Sequence, residues 1–231
     1  VTRATVVAIV GALEAAGARY LIVGGLAVNA HGYYRLTLDV DIVLDMDEEN
    51  VRRATRALAA IGWRPLAPVP IEQFAEAERR REWIRDKGLI VFTLHNAADL
   101  ETKLDLFVES PFDFADAYRR AFRADIGAGV SAWFVGYDDL IALKRAAGRP
   151  RDFGDIDELE EVRRVREELE RKGPDDPGLV EEDLWPRGWA GHRRAQIRHT
   201  AKISLADQLG WLEEAQQLSA QIARGRRIER R

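Results

Sequence analysis

Residues 20–44 read YLIVGGLAVNAHGYYRLTLDVDIVL, from Tyr20 to Leu44, and this stretch decides the fold. The apolar run Arg19 to Val23 is a strand that ends in Gly24-Gly25, and Leu26 to His31 reads as a short helix. In the second strand, Asp39 to Leu44, aspartates alternate with apolar residues. Side chains on a strand alternate between faces, so Val40, Ile42 and Leu44 share one face while Asp39 and Asp41 share the other. Two carboxylates side by side repel each other unless a cation neutralises them. A hard divalent cation such as Mg2+ takes oxygen ligands and suits that pair.

Working outward, helices and strands alternate. Thr2 to Ala16 carries apolar residues at helical spacing and stops at Gly17. Glu48 to Ile61 is a helix closed by Gly62, followed by a short strand near Trp63 to Leu66 and the proline-rich turn Pro65 to Pro70. Ile71 to Lys87 is a charged helix; Leu89 to Leu94 and Lys103 to Val108 are strands suited to lie side by side. Ser131 to Val135 is a further strand, and Asp138 caps a helix to Ala147. The alternation over residues 1–147 predicts an α/β fold, a mixed sheet flanked by helices. Ile156, Leu159, Val162, Val165 and Leu169 then mark an amphipathic helix ending near Gly173.

Composition narrows the function classes. The chain of 231 residues is long enough for one ordinary domain plus an appendage, or for two small domains. It has no cysteine, which excludes disulfides and thiolate metal sites and fits a cytoplasmic setting. No apolar run approaches the roughly 20 residues of a membrane helix, and Val1 to Gly11 lacks a signal-peptide layout. The net charge of −4 offers no global argument for nucleic-acid binding. Residues 181–231 are locally basic, with 10 Lys/Arg against 7 Asp/Glu.

A third carboxylate stands in Lys103 to Phe107, KLDLF, where Leu104 and Leu106 face one way and Asp105 the other. It is either a solvent-facing acid or the partner that joins Asp39 and Asp41 in a metal site. Two ions about 4 Å apart in such a site stabilise both attacking and leaving oxygens in phosphoryl transfer. The four histidines form no metal cluster; His31 reads as helix-end packing.

The pattern GG-x9-R-x-T-x-D-x-D, Gly24 to Asp41, with the later Leu-Asp-Leu strand, resembles the DNA-polymerase-β-type nucleotidyltransferase superfamily. Within it, the chain resembles the bacterial minimal nucleotidyltransferases of the AbiEii toxin type. Leu140 to Ile156, LIALKRAAGRPRDFGDI, is similar to that family's downstream Leu-Ile-x-x-Lys and Arg-x-x-Asp-x-x-Asp-Ile element. Together these cover roughly residues 18–160. The Gly-Gly variant is shared with aminoglycoside- and lincosamide-modifying relatives.

This resemblance implies a minimal nucleotidyltransferase fold over residues 1–173 and transfer of a nucleoside monophosphate from an NTP to a hydroxyl. Mg2+, with Mn2+ as a substitute, would be held by Asp39, Asp41 and Asp105, and Asp105 would draw the proton from the attacking hydroxyl. Gly24 and Gly25 would hold the triphosphate, with Arg35 neutralising it and Thr37 beside it. Lys144 would contact phosphate or substrate, with Arg149, Asp152 and Asp155 organising its element. From the residues alone, Lys144 reads equally as a surface lysine, Asp152 and Asp155 as helix caps, Arg35 as the partner of a local carboxylate, and Thr37 as a strand former. The acceptor would be a tRNA, a protein or a small molecule, in a toxin–antitoxin setting. An antibiotic-modifying enzyme and a catalytically silent nucleotide-binding module are the alternatives.

Residues 174–180, beginning Pro-Asp-Asp-Pro-Gly, read as a linker, and 181–231 as a C-terminal helical extension with helices at Gly191 to Lys202 and Asp207 to Ala223. That extension faintly resembles small helical partners of such enzymes and is either a fused antitoxin-like element or a cap packing through Leu184, Ile197, Leu205, Leu209 and Leu212.

Overall fold

A computed structural model describes residues 1–172, 197, 203–211, 213 and 214. Seven strands form one mixed sheet: β1 (Tyr20–Ile22), β2 (Asp39–Leu44), β3 (Trp63–Pro65), β4 (Val91–Asn96), β5 (Asp99–Phe107), β6 (Phe122–Gly127) and β7 (Val130–Phe134). Their order is β3-β4-β5-β2-β1-β7-β6. The helices are α1 (Arg3–Ala15), α2 (Gly24–Ala30), α3 (Glu48–Ala60), α4 (Ala77–Lys87), α5 (Phe114–Arg120), α6 (Tyr137–Ala147) and α7 (Pro150–Lys172), with a 3-10 turn at Ile71–Ala75.

The register follows from burial. Val40 and Ile42 on β2 and Leu104 and Leu106 on β5 are fully buried on one face. Under that face, Phe92 of β4 stacks on Phe74 of the 3-10 turn at 5.0 Å and on Trp83 of α4 at 5.2 Å. A slip of β2 by one residue would carry Asp39 and Asp41 into this core and turn Val40 and Ile42 out of it. Each such aliphatic residue contributes about 1.5–3 kcal/mol by burial, so the register is strongly enforced. The opposite face carries Asp39, Asp41, Thr93, His95, Lys103 and Asp105, all half-buried or exposed.

Local signals explain most boundaries. Thr2 caps α1, its hydroxyl accepting from the Thr5 N–H at 3.1 Å, and Val6, Ile9, Val10 and Leu13 form the buried stripe. Asp47 caps α3 and Asp113 caps α5 in the same way.

Several expectations need correction. The single helix over Ile71 to Lys87 is two elements, broken where Glu76 adopts an extended conformation. Asp138 does not cap α6; Gly136 holds that position, and Asp138 lies in the first turn, where an acid favours the helix dipole. α7 starts at Pro150, not near Ile156, because proline is preorganised for a first helical position. The fourth and fifth strands are shifted, since the β4–β5 hairpin runs to Asn96 opposite Asp99, with a register shift at His95/Asn96. Both α5 and β6 were absent from the sequence reading; α5 spans 7 residues, and β6 pairs with β7 alone at the sheet edge.

At the C-terminal end, Ser204 caps helical residues 205–211, its hydroxyl accepting from the Asp207 N–H at 3.1 Å, so this helix starts before Asp207. Ile197 packs on Val162 and Val165 of α7, while Leu209 joins the main core and Leu205 packs against it. The linker 174–180, most of the Gly191 to Lys202 helix, Leu184, Leu212 and the basic run at 225–231 lie outside the described residues. No helix among the described residues is long and apolar enough to cross a membrane.

Candidate active site

The sheet brings the predicted acids together. β2 and β5 are parallel neighbours with Asp41 directly opposite Asp105 and Asp39 opposite Lys103. Direct cross-strand partners on one face stand close enough for their charges to interact strongly. Burial first, then the charges of Asp105 and Asp39, push the Asp41 carboxyl up to about 6; the Lys144 charge and a hydrogen bond from the Gly25 N–H pull the other way. Asp105 is also raised, by burial and by Asp39, against the opposing Thr93 hydrogen bond and the Lys103 charge. A cluster that disfavours its own ionisation is electrostatically unfinished, as a cation site is before its cation arrives.

Gly24 and Gly25 sit over these acids at the β1–α2 junction. Gly24 has φ +61°, and a Cβ there would overlap the Asp41 carboxylate, standing 2.6 Å from its Cγ. A Cβ on Gly25 would lie 2.8 Å from Cβ of Thr37. Close approach of backbone to side chain is therefore what this pair provides. Thr37 is buried beneath it and precedes the strand instead of belonging to it, its hydroxyl donating to the Asp39 carbonyl at 3.3 Å.

The second predicted group forms a buried ion network beside the acids. Arg35 meets Asp155 through Nε at 2.8 Å and an NH2 nitrogen at 3.0 Å. Lys144 Nζ stands 2.6 Å from Asp155 and 3.1 Å from Asp152, and Arg149 Nε lies 2.6 Å from Asp152. Lys144 is 5% exposed and Asp155 2%, so neither the surface-lysine reading nor a purely helix-capping role for Asp155 holds. Asp152 does part of the capping work, accepting from the Arg149 backbone N–H at 3.3 Å. Burial opposes its ionisation, but hydrogen bonds from Arg149 and Lys144 outweigh this and hold its carboxyl below the usual range. Arg149 is the most accessible member; its guanidinium is raised by the Asp152 hydrogen bond and also feels Asp41. Three cations against two carboxylates leave this network one positive charge in excess.

The expected three-carboxylate metal cage is not closed. Among the described residues no three histidine, cysteine, aspartate or glutamate side chains are gathered tightly enough to hold a metal ion as they stand. Two of the acids are engaged with other groups: the Gly25 N–H lowers the Asp41 carboxyl, and Asp105 accepts from the Thr93 hydroxyl at 2.6 Å. In kind, an all-carboxylate donor set fits Mg2+ or Mn2+.

Three contributors went unseen in the sequence. Thr93 holds Asp105, and its position opposite Asp105 on β4 becomes visible only with the hairpin register. Asn29 donates to the Arg35 carbonyl and accepts from the Arg35 N–H, both at 3.1 Å. A lone buried amide in the otherwise apolar helix α2 was the available signal. Lys103 faces Asp39 across the parallel pair, its charge acting on Asp105. His31 packs at the end of α2 as expected, its Nε2 bonded to the Val135 carbonyl at 2.9 Å. No protein-family model matches the chain, and a search of curated proteins finds no match.

Proposed function

We propose that the chain is a metal-dependent nucleotidyltransferase with the minimal fold of the DNA-polymerase-β superfamily, of the AbiEii-like kind, transferring a nucleoside monophosphate from an NTP to a hydroxyl. One observation carries this reading: Asp39, Asp41 and Asp105 share a sheet face, with Asp41 and Asp105 in direct register, under a Gly-Gly turn that leaves no room for a side chain. The adjoining excess of positive charge supports it, since a triphosphate needs cations near the acids that hold its metal.

In this reading Asp39, Asp41 and Asp105 would hold Mg2+, which would supply neutralisation of the phosphate charge. Gly24 and Gly25 let the triphosphate approach the backbone. Arg149, the exposed arginine of the network, reaches phosphate, while Lys144 is a positioning residue that acts through Asp152 and Asp155. The acceptor oxygen attacks the α-phosphorus, the bond to the bridging oxygen breaks, and pyrophosphate leaves. Asp105 accepts the hydroxyl proton, a role suited to a carboxylate whose pKa is raised. The acceptor is a tRNA end or a protein hydroxyl, and the setting a toxin–antitoxin pair.

The engagement of Asp41 and Asp105 with Gly25 and Thr93 favours one rival, a silent nucleotide-binding module. Incorporation of α-labelled NTP into RNA, polypeptide or an added aminoglycoside separates the two. Wild type should transfer label only with Mg2+ or Mn2+, and Asp41→Ala should not. Nucleotide binding without transfer to any acceptor class would leave the module reading standing and remove the enzymatic one.

A further inference from the structure

The loop of residues 31–38 carries Arg35 and Thr37 to the acids, and it is gripped from several directions. Asn29 fixes the Arg35 backbone, Asp155 grips its guanidinium, and Arg151 donates to the Leu36 carbonyl at 2.8 Å. On the same loop, Tyr33 meets Ile197 from the far C-terminal part of the chain. Tyr33 packs in a small apolar cluster with Val162 and Val165 of α7 and with Ile197, itself 6% exposed. Burial, aided by the charge of Asp207, pushes the Tyr34 hydroxyl up to about 12, while the Asp207 carboxylate itself accepts from the Ser204 hydroxyl at 2.7 Å.

The helical residues 205–211 are anchored independently of the loop. Leu209 is buried in the main core, and the Arg3 N–H donates to the Glu213 carboxylate at 3.3 Å. A Cβ on Gly127 of the β6–β7 turn would stand 3.8 Å from Cβ of Ala206, so this helix also lies against the sheet edge. It therefore ties α1 to the β6–β7 turn. Leu36 and Leu38 on the loop's outer edge stay 49% and 58% exposed, so the described C-terminal residues do not roof that edge. The contacts grip the loop from the side.

We infer that Ile197 is a built-in brace: seated on Val162 and Val165 of α7, it holds Tyr33 and so sets where Arg35 and Thr37 lie. Ile197 then belongs to the scaffold of the site. Its consequence for nucleotide affinity rests on the nucleotidyltransferase reading; the mechanical contact does not. Ile197 is a positioning residue, acting through Tyr33.

Amide hydrogen exchange on the full chain, without nucleotide, tests the brace directly. Ile197→Ala and, from the other side of the contact, Tyr33→Ala should each speed exchange across 33–38 by about tenfold, while 20–22 and 39–44 keep their protection. The double variant should be no faster than the worse single variant, because both remove one shared contact. Unchanged exchange at 33–38, or an equal rise throughout the sheet, would overturn the proposal. Binding of a fluorescent ATP analogue should weaken about tenfold in Ile197→Ala, equivalent to about 1.4 kcal/mol. Undiminished affinity beside a loosened loop would show that the brace does not set Arg35 and Thr37. If wild type binds no nucleotide while the exchange pattern holds, the brace stands and the functional reading falls.

Discussion

Gly24 and Asp41 are the residues on which the site turns, and each yields a prediction with a defined sign. A methyl group at Gly24 would meet Cγ of Asp41 at 2.6 Å on a backbone with φ +61°. Overpacking of this kind costs about 1–3 kcal/mol, and the left-handed conformation adds about 1 more. Gly11, inside α1, has nothing within 4 Å of the same added methyl. Urea titration should therefore show Gly24→Ala losing about 2–4 kcal/mol and Gly11→Ala gaining about 0.5–1 kcal/mol. Equal effects at the two glycines would refute the close approach. Asp41, raised from 3.8 to about 6, binds its proton more tightly folded than unfolded. Stability contributed by this group thus falls as pH rises from about 4 to about 6 and is level above. Asp41→Asn carries no charge and should gain on wild type across that window, by up to about 3 kcal/mol at pH 7 without metal. A pH-independent difference between the two proteins would show that the carboxylate is not held up by its neighbours.

At the scale of elements, α6, α7 and the 31–38 loop meet at Asp155, whose carboxylate serves both Arg35 and Lys144 inside the protein. Removing one partner of a buried ion set strands the rest, at about 3–5 kcal/mol. Asp155→Asn should cost that much by denaturation, whereas Glu78→Gln, breaking the exposed Arg81 pair on α4, should stay within about 0.5 kcal/mol. Similar losses would place Asp155 among ordinary surface acids. Much of this geometry was legible beforehand. Period-two alternation in Asp39 to Leu44 put both aspartates on one face, and KLDLF did the same for Asp105. What local pattern could not supply was the pairing of β2 with β5, 64 positions apart at Asp41 and Asp105, or the descent of Lys144 into a buried network. A lysine in the last turn of a charged helix looks solvated until a second helix brings two acids to it. Likewise, α5 and β6 are short and half-polar, and their place depends on the β7 pairing, not on their own periodicity.

Across the whole molecule, stability and the proposed chemistry are linked through the same acids. A ligand that binds only the folded chain stabilises it by mass action, about 2.7 kcal/mol at a hundredfold excess over its dissociation constant. For a chain of this size each kcal/mol moves the melting temperature by about 2–4 °C. Mg2+ titrated at pH 8 should thus raise the wild-type melting temperature by about 5–10 °C near saturation. Protons compete with the cation for Asp41, so the gain should shrink as pH falls through about 6. Asp41→Asn begins more stable because the repulsion is gone, but it has lost a ligand and should respond little to Mg2+. The two melting curves then converge as metal is added, the variant leading without it and wild type closing the gap with it. A Mg2+ response of equal size in both proteins, or one that ignores pH between 5 and 8, would detach the cation from these carboxylates. That result would leave the raised Asp41 carboxyl as a packing cost without a ligand to relieve it.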